Sequence, residues 1–364
     1  MNTLHQAVVG CSKTDLYTPA LCLDLDLFDA NVQIMVETCQ KHGVDWRPHA
    51  KCHKSPIIGR WLVDAGAIGL TCATIREAEL MAEAGIRDLL IANLIAGPAK
   101  IQRLVELASK ADPIICLDHH DQADAISQAM ATAGVSVRVL IELEIGMNRV
   151  GVDDLELVER LAEKVHSLPG LELAGVMAYE GHLLTIEDLQ EKEQAIRQAL
   201  AKATTARDRL ESRGLPCPIV SCGGTGSFPI TVKQNGITEI QAGGAIFMDE
   251  FYRQSCQIDQ LENALTIMAT VVSMPTPDRV VVDTGRKALN IEIYRPRVRE
   301  PKGLLVESLS AEHGVLRLME DATPPKIGQP VEIVPGYADL TNVLHPGFLG
   351  FRGGKLEREI PIVR

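Results

Sequence analysis

Nowhere in this 364-residue chain do about 18 apolar residues run consecutively, so the sequence offers no helical membrane span. The N-terminus, MNTLHQAVVGCSKTDLY, lacks a basic stretch followed by an apolar one, so no secretory signal is read and a cytoplasmic protein is expected. The nine cysteines are odd in number and contain no Cys-x-x-Cys pair, a pattern that fits buried thiols rather than a disulfide framework or a zinc ribbon. Positive charge is scarce. Against 48 acidic side chains stand 36 Lys and Arg, and the net charge of -12 repels phosphates, which disfavours nucleic-acid and anionic-membrane partners. A small-molecule ligand fits better.

What is present is an ordinary soluble balance, 46% hydrophobic and 23% charged, in a chain long enough for a large barrel with an appended module. Between residues 44 and 245, short apolar runs alternate with amphipathic segments. The runs are WRPHAK (46–51), AIGLTCA (67–73), DLLIANL (88–94), PIICLD (113–118), VRVLIELE (137–144), LAGVMAY (173–179), PIVSCGG (218–224) and TEIQAGG (238–244). Eight strands alternating with helices predict parallel pairing, right-handed crossovers and closure into a barrel. Helices are expected over 75–84, 99–110, 120–133, 154–167 and 186–213, where apolar residues recur every three or four positions, with Gly85, Gly134 and Gly214 as stops. After about Arg253 the helices cease and short runs separated by Gly and Pro predict strands, while ALCLDLDLF (20–28) reads as an extra strand joining them. The fold class is therefore α/β: a (β/α)8 barrel over 29–252, with an all-β domain formed by 1–28 and 253–364.

Ligands of such barrels lie at the C-terminal ends of the strands, so the residues after each run carry the chemistry. Lys51 follows the first run in VDWRPHAKCHK; a lysine at a strand end is partly desolvated, which frees its amine to attack a carbonyl. The loop CGGTGS after the seventh run has the composition of an anion cradle, with Gly223, Gly224 and Gly226 admitting close backbone approach and Thr225 and Ser227 adding hydroxyls; Gly243 and Gly244 follow the eighth. A lysine on one side of the mouth and a phosphate cradle on the other describe attachment of a phosphorylated aldehyde, pyridoxal phosphate. Arg149, after the fifth run, is a candidate partner for the cofactor's phenolic oxygen, and Tyr179, ending the sixth, for its ring. His49, two residues before Lys51, reads either as a packed core histidine or as a residue that tunes the lysine. A lone glycine turn, an arginine in a βα loop or a strand-end tyrosine is common without function, so it is their joint placement that points to a site.

RPHAKCHK (47–54), ANLIAGPAK (92–100), EIGMNRVGV (144–152), SCGGTGS (221–227), QAGGAIFMDEFY (241–252), VVDTGRKAL (281–289) and AEHGV (311–315) together resemble the D-threonine aldolase and D-serine dehydratase family, fold-type III pyridoxal enzymes related to alanine racemase. The resemblance implies Lys51 as the cofactor lysine, Arg149 beside the cofactor oxygen, the loops at 223–227 and 243–244 around the phosphate, and a homodimer. It implies a lyase of D-configured β-hydroxy-α-amino acids, by retro-aldol cleavage or, alternatively, by dehydration of D-serine or 3-hydroxyaspartate. A metal-independent racemase and a non-catalytic cofactor carrier are the other readings. Two positions depart from the family. In PGYADLTNVLH, Tyr337 stands where metal-dependent members carry a histidine, leaving Asp339 unless His345 or His313 supplies a nitrogen; a metal held there by oxygens would be magnesium or manganese rather than zinc. The position of the aldolases' base histidine is Thr185, so His182 is the candidate base. Arg286, Arg295, Arg297 and Arg299 are expected to form a solvated basic face rather than a site for a second substrate carboxylate.

Overall fold

A computed structural model describes residues 8–363 and divides the chain into two compact units, one built from the chain up to Ile34 together with Gly244–Val363, the other from Met35–Gly243. The strand expected over 20–28 is shorter. β1 (Ala20–Asp24) ends where Asp24 turns its carboxylate onto the N–H groups of Asp26 and Leu27, both at 3.1 Å, and so starts α1 (Leu25–His42).

The Met35–Gly243 unit alternates β2 (Asp45–Trp46), α2 (Pro56–Asp64), β3 (Leu70–Cys72), α3 (Ile75–Glu83), β4 (Asp88–Leu94), α4 (Pro98–Ala108), β5 (Asp112–Leu117), α5 (His120–Ala133), β6 (Val137–Leu143), α6 (Leu155–Ser167), β7 (Leu171–Ala178), α7 (Leu189–Ser212), β8 (Ile219–Cys222), α8 (Phe228–Thr231) and β9 (Glu239–Ile240). The strands pair in the order β2-β9-β8-β7-β6-β5-β4-β3, every pair parallel. A bridge between His49 and Thr71, with the Thr71 N–H on the Pro48 carbonyl at 3.0 Å, links β2 to β3 and closes the ring. Leu90, Ile114, Cys116, Leu140, Ala174 and Met177 form one buried cluster from neighbouring strands, the near-continuous apolar pattern of strands covered on both faces. Toward the N-terminal ends of the strands, buried Arg47 reaches Glu239 at 3.0 Å and Asp88 at 2.9 Å, and Arg138 adds a contact to Asp88 at 2.7 Å. That network is fully paired, so the end of the barrel opposite the expected mouth is structural. Gly134 ends α5 in the left-handed region, φ 69°, as a helix stop should.

The other unit holds β1 and β10 (Leu265–Thr276), β11 (Arg279–Val282), β12 (Arg297–Glu300), β13 (Leu304–Leu309), β14 (Gly314–Leu318), β15 (Pro330–Val334), α9 (Ala338–Asn342), β16 (Gly347–Arg352) and β17 (Lys355–Pro361). β1 runs antiparallel to β10 and parallel to β16, around a core of Ala20, Cys22, Met268, Leu349, Phe351 and Leu356. The domain is mostly rather than wholly β, because α9 follows β15. Residues 244–252, expected with the barrel, fold with this unit: Glu250 and Phe251 donate their N–H groups to Pro335 and Gly336 at 3.1 and 2.9 Å, and Asp249 accepts the N–H of Ala338 at 2.8 Å. Among the described residues no helix is long and apolar enough to cross a membrane.

Candidate active site

Lys51 does not sit on a strand. β2 stops at Trp46, the His49 N–H still reaches the Gln241 carbonyl at 3.2 Å, and the chain then turns so that Lys51 rides on the one-turn 3-10 segment Ala50–Cys52 with its side chain exposed, so the expectation of a desolvated strand-end lysine is corrected. His49 caps this turn, its Nδ1 accepting the Lys51 backbone N–H at 3.4 Å. Burial, reinforced by the positive Lys51, holds the His49 pKa well below the usual histidine range, so the ring is neutral and its proton belongs on Nε2. The His49 backbone lies so close to Gly243 that a Cβ there would stand 2.3 Å from the His49 carbonyl oxygen. Gly243 is thus needed to bring the end of β9 against the lysine turn.

Arg149, Tyr179 and His182 do converge. In the loop after β6, the Glu144 carboxylate accepts the N–H groups of Gly146 and, at 3.2 Å, of Arg149, and Asn148 takes the left-handed φ of 53° that bends the chain back. The Arg149 guanidinium carbon then lies 5.8 Å from the centroid of the Tyr179 ring, while the far end of Arg149 is 4.0 Å from Glu142. The Tyr179 ring has glycines on either side: a Cβ would come within 2.4 Å of it at Gly181 and 2.9 Å at Gly224. His182 is exposed on the short 3-10 turn after β7, its imidazole against Gly146, where a Cβ would sit 2.5 Å from Nε2.

The glycine loop after β8 is anchored from behind by Glu180, which is fully buried. Its carboxylate accepts the Gly223 N–H at 3.3 Å and the Thr231 hydroxyl at 2.6 Å, while Ser227 Oγ accepts the Gly224 N–H at 3.1 Å. Thr225 Oγ1 is buried with no hydrogen-bond partner, and Gly226 is buried beside it. A rigid, glycine-rich loop presenting an unsatisfied hydroxyl fits the phosphate of pyridoxal phosphate, because an anion supplies the acceptor the hydroxyl lacks. Gly244 is counted with the other unit, where it begins the turn Gly244–Ile246, and a Cβ there would meet the Tyr252 ring at 2.6 Å.

Two acidic residues escaped the reading of the sequence. Glu180 stands directly after Tyr179 in AYEGH, and Glu142 interrupts the apolar run VRVLIEL; a carboxylate inside a buried parallel strand is the signal that was there to be used. Burial raises the Glu142 carboxyl to about 7 against the opposing pull of Arg149.

In the other unit, the Tyr337 hydroxyl donates to Asp339 at 3.2 Å, His345 Nε2 lies 2.7 Å from the Ala288 carbonyl oxygen, and His313 is exposed. Among the described residues no three His, Cys, Asp or Glu side chains are grouped for a metal ion. The four arginines do not form a common anion site: Arg286 and Arg295 donate to the carbonyls of Leu309 and Val306, Arg297 to Glu250 and Arg299 to the carbonyl of Asn263.

A family model for the alanine racemase N-terminal domain matches residues 23–250, and one for a serine dehydratase domain matches 264–351. The chain is 38% identical over 342 residues to a D-threonine aldolase of an Arthrobacter species, covering 93% of this chain and 90% of that one. It is 32% identical over 365 residues to a 3-hydroxy-D-aspartate aldolase of Paracoccus denitrificans (strain Pd 1222), covering 98% and 94%. The crystal structure of D-threonine aldolase from Filomicrobium marinum matches with a TM-score of 0.94 at 35% identity, covering 100% of this chain and 98% of that one.

Proposed function

The chain belongs to the alanine racemase N-terminal domain family, and from that premise we propose that it is a pyridoxal-phosphate-dependent lyase that splits D-configured β-hydroxy-α-amino acids into glycine and an aldehyde. The observation that carries this reading is the shared rim: Lys51 follows β2, Arg149 follows β6, Tyr179 follows β7 and the Thr225 loop follows β8, all at the C-terminal ends of one closed parallel ring. When bound, pyridoxal phosphate supplies an electron sink next to the substrate's Cα.

The protein's own groups account for the rest. The loop fixed by Glu180 would receive the phosphate at Thr225 Oγ1 and the backbone around Gly226, while Gly223 and Gly224, whose N–H groups are taken by Glu180 and Ser227, would shape the loop. Arg149 would hold negative charge on the phenolic oxygen of the bound cofactor, and its stacking over Tyr179 fixes where the guanidinium can point. Lys51 is the attachment residue, its turn fixed by neutral His49. His182 is the residue we assign to take the β-hydroxyl proton on its imidazole, since the base histidine of the aldolases is replaced by Thr185. A homodimer and a cytoplasmic location belong to the same proposal, which rests on the family resemblance.

Incubating the pyridoxal-phosphate-loaded protein with D- and L-threonine and assaying glycine, acetaldehyde and keto acid separates the possibilities. The aldolase reading requires glycine and acetaldehyde in equal amounts from the D isomer alone. Keto acid with ammonia would make the chain a dehydratase, and inversion of the α-carbon without cleavage would make it a racemase.

A further inference from the structure

Three residues after Lys51 stands a second lysine in an uncommon setting. Lys54 has φ 46°, a left-handed conformation that non-glycine residues adopt at a cost and hold only where surroundings enforce it. What enforces it is visible: the Lys54 N–H closes the lysine turn on the Ala50 carbonyl at 2.7 Å, and its ammonium is bound by the Glu77 carboxylate. Glu77 is buried, on the first turn of α3, and its second oxygen accepts the Ala73 N–H at 2.6 Å while its own N–H reaches the Thr74 cap at 3.1 Å. The carboxylate is therefore rigid before Lys54 arrives. Underneath, His53 and Ser55 are buried, joined by a Ser55 N–H to His53 Nδ1 bond of 3.0 Å. The cofactor chemistry uses none of these groups.

We propose that Lys54 and Glu77 are positioning residues that clamp the Ala50–Cys52 turn to the β3–α3 junction, so that Lys51 alone presents its amine at the barrel mouth. The proposal rests on the reading of Lys51 as the cofactor lysine. The physical argument is one of preorganisation: a one-turn 3-10 segment holds only weak internal hydrogen bonds, so the direction of an exposed side chain on it is set by what ties down its ends. His49 ties one end through its ring, and the Lys54–Glu77 ion pair ties the other. The same pair engages the Lys54 side chain with Glu77, which removes it as a competing nucleophile.

The test uses Glu77→Gln, which keeps shape but removes the charge, Lys54→Met, which removes the ion pair from the partly exposed side, and Lys54→Arg, which keeps it. Pyridoxal phosphate affinity is measured by equilibrium dialysis, the labelled lysine is mapped after borohydride reduction, and the melting temperature of the cofactor-free protein is recorded. Wild type should carry label on Lys51 only. Glu77→Gln and Lys54→Met should weaken cofactor binding about tenfold, the order of one charge-assisted hydrogen bond, with cofactor-free melting nearly unchanged. In Glu77→Gln part of the label should move to Lys54, and Lys54→Arg should recover most of the affinity. Affinity and labelling unchanged in both Glu77→Gln and Lys54→Met, or affinity lost only in step with lowered melting, would overturn the clamp and leave Lys51 as the cofactor lysine. Label on a different lysine in wild type would overturn that reading and the clamp with it.

Discussion

Glu180 holds Gly223: one carboxylate oxygen accepts the glycine N–H at 3.3 Å and the other takes the Thr231 hydroxyl at 2.6 Å, all of it buried. The cradle loop is fixed from behind by the strand that also delivers Tyr179, so it need not order itself when an anion arrives, and the entropy of ordering is not charged to binding. Glu180→Ala should therefore do two things. It should weaken cofactor binding, and it should lower folding stability by about 1–3 kcal/mol by stranding buried donors. Dialysis and urea unfolding of the cofactor-free protein measure the two effects separately.

Gly224 carries a sharper expectation than the anion cradle alone suggested. A side chain there meets the Tyr179 ring, 2.9 Å away. Gly224→Val should displace Tyr179 and weaken cofactor binding by about 1–3 kcal/mol. Pairing it with Tyr179→Ala should cost less than the sum of the two single changes, since the clash is removed; strictly additive losses in a double-mutant cycle would show that Gly224 acts on the anion directly.

Glu142 gives the stability a pH signature. Its carboxyl is raised by burial to about 7, with Arg149 and the Cys116 thiol opposing and Asp118 and Glu144 adding to the rise. A raised acid binds its proton more tightly folded than unfolded, so its contribution is complete below the unfolded value near 4.5 and is lost as pH climbs through about 7. Glu142→Gln should flatten that window, by up to about 3 kcal/mol between its ends. Urea midpoints at pH 4.5, 6 and 8 decide it; an unchanged slope would mean Glu142 is ionised throughout.

The eight-run rhythm between residues 44 and 245 made the barrel legible, because parallel strands buried on both faces are apolar runs and the helices between them keep a three-to-four spacing. The same cue misplaced Lys51, since hydropathy does not register that the chain turns into the 3-10 segment Ala50–Cys52 after His49. It lengthened β1 too, where Asp24 serves as a helix cap inside an apolar run. The glycine loop and Arg149 were legible as composition at strand ends. Glu180, Glu142 and the Lys54–Glu77 clamp were not, because their meaning lies in which donors they meet across strands and turns, and spacing along the chain does not encode that.

At Asp339 the chemistry of the neighbours sets the metal expectation. Tyr337 offers a neutral phenol whose hydroxyl already donates to Asp339 at 3.2 Å, and His345 Nε2 is engaged with the Ala288 carbonyl. Transition-metal binding there should be weak, with magnesium or manganese preferred over zinc. Elemental analysis of protein purified without chelator, with and without Asp339→Asn, measures it. Stoichiometric zinc lost in the variant would show that a nitrogen ligand swings in.

The central claim is that Lys51 is the residue to which the cofactor attaches. Protein loaded with pyridoxal phosphate, reduced with borohydride and digested for mass spectrometry should carry the pyridoxyl label on Lys51 and remain irreversibly altered in its visible absorbance, while Lys51→Ala stays colourless. Label on any other lysine, or a wild-type protein that cannot be loaded at all, would contradict the account.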